Sequence, residues 1–297
     1  MSKKIISTYE RSIKPLKDAV SKGRVTPIGG VPRLFFLCGA NESSSSISYR
    51  RRIVSNFLEK YVDNAHVVIA ESFFDEYIKN SPKKNALDFE HVLSDVSEAV
   101  IIVMESPSAI CELGAFAHKT LRRKLIVIND ARYKGERSFI NTGPIEAIRE
   151  SVSDDRVIWY KMSDLDSKDG IATTFPKIKK LLGSRANDKK ITSLDADLSL
   201  EVSSKRIFLL HDIIFLLGET TYSGLIATIK DIFGQRSSYD NVKAMLSILI
   251  SLGFVDYPER FGVIRSNRVS LFYRYSDDDM FVKKGLFLVG LKDQMRA

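Results

Sequence analysis

AVIIVMESPSAICELGAFA, residues 99–117, passes from an apolar run through a short polar turn into an amphipathic stretch. Residues 99–104 read as a strand buried on both faces, because apolar side chains run on continuously instead of alternating with polar ones. ESPS, residues 105–108, turns the chain, and Leu113, Phe116 and Ala117 then recur on one side of a helix. The same rhythm extends outward in both directions. RLFFLCG (33–39), HVVIA (66–70), KLIVIND (124–130) and RVIWY (156–160) read as four more buried strands. Tyr49, Ile53, Phe57 and Tyr61 predict a helix after a Ser-rich loop, and Phe89, Val92, Leu93 and Val96 predict another before residue 99. Strands alternating with one-faced helices make an α/β protein with a doubly wound, mostly parallel five-stranded sheet.

From residue 161 to residue 190 the composition turns polar, and the pattern beyond it changes. Helical periodicity covers residues 203–217, 222–233 and 239–252, with Gly253 as a stop. Val269, Leu271, Tyr273 and Tyr275 then alternate after a Ser266-Asn267 turn, which predicts a β-hairpin and a winged helix-turn-helix arrangement. The expected organisation is a basic arm at 1–30, an α/β domain at 31–185, a linker at 186–200 and a winged-helix domain at 201–297.

The 297 residues suit two domains, and the 44% apolar and 28% charged shares are those of globular proteins. The apolar run at residues 207–217 is too short and too interrupted to span a membrane. With no leader-like apolar stretch at the start, the expected location is the cytoplasm. Cys38 and Cys111 have no CxxC partner, and His66, His91, His118 and His211 form no close pair, so no disulfide framework, metal or cofactor is expected. A net charge of +8 favours an anionic partner. Residues 1–24 hold seven Lys/Arg against two acids, an arm suited either to nucleic acid or to simple solvation. Arg260, Arg265, Arg268 and Arg274 form a second basic group around the predicted hairpin, with Asp277, Asp278 and Asp279 directly after it; DNA contact and protein docking both remain open there.

The turn at residues 105–108 lies at the carboxyl end of a parallel strand, where open α/β sheets bind ligands. Glu112 is expected in the first turn of the following helix, where free N–H groups and the helix dipole favour an ionised carboxylate. Such a group beside a sugar can attack the anomeric carbon or stabilise a cationic transition state; it can also merely complement the helix end. Gly114 and Ala115 leave room for close packing. Gly39 allows close backbone approach, Arg50 to Arg52 sit where a helix start could hold an anion, and Glu71, Phe74 and Asp75 follow the second strand at the expected pocket rim. Ser106 and Ser108 offer hydroxyls to ribose oxygens or to the turn itself. Cys111 reads as a small buried cysteine.

FLCG, ESFFDE, LDFEHVLSDVSEAVIIVMESPSAICELGAFA, RRKLIVIND and RSFINTGP occur together in this order. The set, running from residue 33 to residue 144, resembles effector proteins of bacterial retrons that carry a nucleoside deoxyribosyltransferase-like domain and a winged-helix tail. The resemblance implies a toxin-like antiphage effector that cleaves NAD, its substrate, at the nicotinamide–ribose bond. It also implies control by the retron reverse transcriptase and its msDNA. By the same resemblance Glu112 in ELGAFA is the nucleophile, Glu90 the assisting acid with Asp88 and Glu98 nearby, and Arg51 the arginine of choice. Gly39, Glu71, Phe74, Glu105, Ser106 and Ser108 would contact substrate. Arg137 and Asn141 resemble a segment lent to a neighbouring active site, which implies a homo-oligomer. The loop before Glu112 is shorter than the family's pattern, with only Glu105 acidic. Transfer of deoxyribose between bases, and non-catalytic nucleotide sensing coupled to DNA binding through Arg265, Arg268 and Arg274, are the competing functions.

Overall fold

A computed structural model describes residues 13–14, 16–43, 46–73, 75, 92, 96–118, 120–183, 196–235, 238–258 and 262–275. Residues 33–186 form one compact unit, and residues 1–32 together with 187–297 form the other.

The first unit is an α/β layer structure. Its strands are β1 (Arg33–Cys38), β2 (Ala65–Ile69), β3 (Ala99–Val103), β4 (Leu125–Asp130) and β5 (Val157–Tyr160). They pair in parallel in the order β2-β1-β3-β4-β5. All side chains of β1, β3 and β4 are buried, the signature of central strands covered on both faces. Phe35, Leu37, Ile101, Val103, Ile126 and Ile128 alternate onto one face, where they pack with Val54, Phe57 and Leu58 of α1 (Tyr49–Tyr61) and Ile178 of a further helix (Phe175–Leu182). The buried residues of α2 (Pro107–Phe116), Ala109, Leu113 and Phe116, stand outside that cluster although α2 contacts β3. Helices following β1 and β3 thus cover opposite faces, which puts the topological switch point between these two adjacent strands. The Ser-rich loop after β1 carries a small antiparallel pair, Asn41–Ser43 with Ser46–Ile47.

The second unit contains α3 (Ser204–Leu217), α4 (Tyr222–Phe233) and α5 (Asn241–Ser251), and Ser203 and Thr221 cap the first two with their hydroxyls. Short strands β6 (Thr220–Thr221), β7 (Val255–Asp256) and β8 (Val263–Ser266) form an antiparallel sheet in the order β7-β8-β6. The hairpin therefore lies earlier than expected, with its turn before Val263 and Ser266 paired to Val255. Leu271, Tyr273 and Tyr275 are buried while Val269 is exposed, and Tyr273–Arg274 pairs with Thr26–Pro27. The cause is Asp212 on α3. Its buried carboxylate accepts the N–H of Phe272 at 2.9 Å, the N–H of Tyr273 at 2.9 Å and the hydroxyl of Tyr275 at 2.8 Å.

Residues 13–32 also depart from the separate arm expected over 1–30. Ile13, Leu16, Ala19 and Val20 are buried, an apolar stripe at helical spacing that the lysines between them concealed, and Val25 beyond them is buried too. Lys17 is paired with Asp231 at 3.1 Å. Among the described residues no helix is long and apolar enough to cross a membrane.

Candidate active site

Glu112 lies in the second turn of α2, which begins at Pro107 behind the capping Ser106. The expected first-turn position is therefore corrected, and so is the expectation of a readily ionised group. The carboxyl is pushed up to about 7 from 4.5, first by burial and then by the negative charge of Glu71, while Arg51 opposes the rise. Burial pushes the Cys38 thiol at the end of β1 well up, the negative charges of Glu112 and Glu71 add to the rise, and Arg51 opposes it. These four side chains form one electrostatic cluster at the β1/β3 switch point. Two buried atoms of the cluster, Glu112 Oε2 and Arg51 Nε, have no hydrogen-bond partner among the described residues.

Arg51 is fully buried and its terminal nitrogens are engaged. They donate to Glu71 at 2.8 and 2.6 Å, to Asn41 Oδ1 at 2.8 Å and to the Leu37 carbonyl at 2.8 Å. This forked pair fixes Glu71 behind β2 and the loop behind β1, so the arginine organises the site instead of waiting for an anion. Gly39 explains itself here: a Cβ would lie 2.8 Å from Arg51 Cδ and 3.0 Å from Glu105 Oε1.

Glu105 is also a brace. It accepts the Ser48 hydroxyl at 2.5 Å, the Ala40 N–H at 3.2 Å and Arg50 at 3.0 Å, linking the turn before α2 to the start of α1. Arg50 reaches on to Asp169, whose other oxygen accepts the Tyr160 hydroxyl at 3.1 Å. Ser106 caps α2 by accepting the Ala109 N–H at 3.2 Å and lies 3.0 Å from Ser108.

A cavity of about 500 Å³ opens beside the same turn, lined by Ser106, Pro107 and Ile110 on one side and by Asn129, Asp130, Tyr133 and Asn141 on the other. Glu112 does not line it. At 100° per residue Ile110 and Glu112 are 200° apart, on opposite flanks of the buried stripe of Ala109, Leu113 and Phe116. The cavity occupies the β4 flank and the charge cluster the β1 flank. The cluster holds the perturbed carboxylate, with Glu112 Oε2 unpartnered among the described residues, whereas the buried carboxylates at the cavity, Glu105 and Asp130, are already bonded.

Asn141 donates twice to its own loop, to the carbonyls of Tyr133 and Glu136 at 2.7 Å each, and Arg137 is exposed outside the cavity. Gly114 has open space where a Cβ would stand, not a close neighbour, and Cys111 is exposed, not buried. Glu90, Asp88, Phe74 and Arg260 lie outside the described residues. Sequence reasoning passed over Asn129, Asp130 and Asp169 as site residues. The Asn-Asp pair ending β4 carried the available signal, a polar terminus at the ligand-binding edge of a parallel strand.

In the helical unit the three arginines differ. Arg265 is exposed and bonded to Asp256 at 3.1 Å, and Arg274 is exposed on its strand. Arg268 is stacked between Phe272 at 4.3 Å and Phe254 at 4.7 Å. It is a packing residue, its aromatic partners clustered with His211.

Comparison with known proteins matches residues 46–257 to the family described as STM3845 retron effector protein. A protein of retron Ec73 from Escherichia coli, named as a candidate ribosyltransferase/DNA-binding protein, is 34% identical over 99% of this chain and 97% of its own length. A counterpart of the same description from retron Ec86, also of Escherichia coli, is 32% identical over 64% of this chain and 62% of its own length. With a match over most of the described fold and a relative aligned end to end, this chain belongs to the STM3845 family of retron effector proteins.

Proposed function

We propose that this retron effector breaks the N-glycosidic bond between nicotinamide and ribose in NAD, with Glu112 as the nucleophilic carboxylate. The observation that carries the reading is the half-buried carboxylate of Glu112 at the β1/β3 switch point, its Oε2 without a hydrogen-bond partner among the described residues and its acid strength moved to about 7. A group so tuned is charged in about half of the molecules near neutral pH and is poorly solvated, which suits attack on an electron-poor carbon. The Glu112 oxygen would bond to the anomeric carbon as the carbon–nitrogen bond breaks, and the electron pair would leave with nicotinamide. Nicotinamide is attached as a cation and departs neutral, so this step needs no proton donor. Water then hydrolyses the ribosyl ester and restores the carboxylate. The ribosyltransferase part of the relatives' names agrees with glycosidic chemistry.

The helical unit is read as a winged helix, from its order of helix, strand, helix, helix and hairpin. Exposed Arg265 and Arg274 suit it to an msDNA and reverse transcriptase partner, and the DNA-binding part of the relatives' names points the same way. Such a partner would hold the enzyme in check as an antiphage effector. Oligomerisation through residues 137–141 is part of the same reading. Incubating the purified chain with NAD and assaying free nicotinamide tests the activity. Nucleoside base exchange without nicotinamide release would favour the deoxyribosyltransferase alternative.

A further inference from the structure

The cavity on the Ile110 flank of α2 takes no part in the chemistry at Glu112, yet it is built as a ligand site. Its volume of about 500 Å³ falls inside the ordinary range of roughly 300–1,000 Å³ for small-molecule pockets. Asn129, 5% exposed, lines it at the end of β4. The Asn129 Oδ1 accepts the Asp130 N–H at 2.8 Å, which leaves the Nδ2 as the donor this amide can offer. Met104, Pro107, Ile110 and Met162 supply apolar walls, and Tyr133 contributes a ring. Flat apolar surfaces with a buried amide donor and the hydroxyls of Ser106 and Ser138 suit a nucleobase and its sugar.

The first two turns of α2, a helix about 10 Å across, carry Ile110 on the cavity side and Glu112 on the other. Pro107 has no N–H and Ser106 takes that of Ala109, so the positive end of the helix dipole and the Ser106 and Ser108 hydroxyls are what this end offers to phosphate oxygens. We propose that the cavity seats the second nucleoside half of a dinucleotide substrate. Its pyrophosphate would cross the amino end of α2, and the scissile nucleotide would lie on the Glu112 flank. The proposal rests on the reading of Glu112 as the glycosidic carboxylate, and it makes the cavity the element that selects a dinucleotide over a mononucleotide.

The test uses the full chain carrying Glu112→Gln, so that NAD is not consumed, titrated calorimetrically with NAD, AMP and nicotinamide mononucleotide. AMP should compete with NAD. Adding Ile110→Trp, which fills the cavity from a position already 44% exposed, should weaken AMP and NAD at least tenfold and leave nicotinamide mononucleotide within twofold. Tyr133→Ala, at another exposed position, should weaken AMP without touching the mononucleotide. Failure of AMP to compete, AMP binding indifferent to both variants, or equal losses for NAD and the mononucleotide would overturn the proposal. Nicotinamide release from NAD by Glu112→Gln at the wild-type rate would defeat the Glu112 assignment and leave these binding results standing. Wild-type turnover of nicotinamide mononucleotide as efficient as that of NAD would defeat the cavity's role and leave Glu112 untouched.

Discussion

Replacing Glu112 by Gln should make the α/β unit more stable in alkaline solution while abolishing its proposed chemistry. The carboxyl is held at about 7 in the folded chain against an ordinary 4.5, so folding opposes its ionisation. The folded state binds the extra proton between these values. Wild-type stability is therefore fully present below 4.5 and falls as pH rises through 7. At about 1.4 kcal/mol per tenfold, the interval from 4.5 to about 7 has a ceiling of about 3 kcal/mol. Residual solvent access at the half-buried group lowers the expected gain to about 1–3 kcal/mol. Gln removes the charge and with it this pH dependence. The assay is urea unfolding at pH 4.5 and pH 8, followed by the fluorescence of Trp159, the chain's single tryptophan, which lies in β5 and reports on this unit alone. Stability of the variant relative to wild type should rise between the two pH values. Parallel pH dependences for the two proteins would refute the claim that burial and Glu71 hold the carboxyl up.

Glu71→Gln removes the negative charge that helps raise Glu112, so the acidic limb of kcat/KM for NAD, expected near pH 7, should move to lower pH; an unmoved limb would show that the two do not interact. Asp212→Ala should destabilise the helical unit by about 3–5 kcal/mol, because the backbone donors of Phe272 and Tyr273 lose a buried charged acceptor; proteolysis or hydrogen exchange across residues 262–275 would register it. Arg265→Ser with Arg274→Ser should weaken binding to msDNA and reduce the salt slope by up to about 2. Arg268→Ser should instead lower stability through its lost aromatic stack, and a pure binding defect there would contradict the structure.

The five strands, α1, α2 and the three later helices were legible because apolar periodicity records burial directly. Ser203 and Gly253 punctuated the helices as capping chemistry requires. Where the reading and the structure part, long-range contacts decide. The alternation read over residues 269–275 holds at Leu271, Tyr273 and Tyr275 but not at exposed Val269, and a buried aspartate 60 residues earlier captures that segment's N–H groups, which no local pattern reveals. Glu112 was singled out by type and position, whereas its electrostatic state depends on Glu71 and Arg51, which arrive from separate elements. Arg51 and Glu105 look like ligand-binding residues in sequence because charge is visible there, and their bonding partners are not. Both are consumed in bracing the turns that carry the site.

Nicotinamide released from NAD by the purified chain, compared between wild type and Glu112→Gln at pH 8, tests the central claim most directly. The account predicts turnover by the wild type and a loss of several orders of magnitude in a variant that remains folded by its Trp159 signal. Equal release by both proteins, or none from the wild type alongside active transfer of deoxyribose between bases, would contradict it.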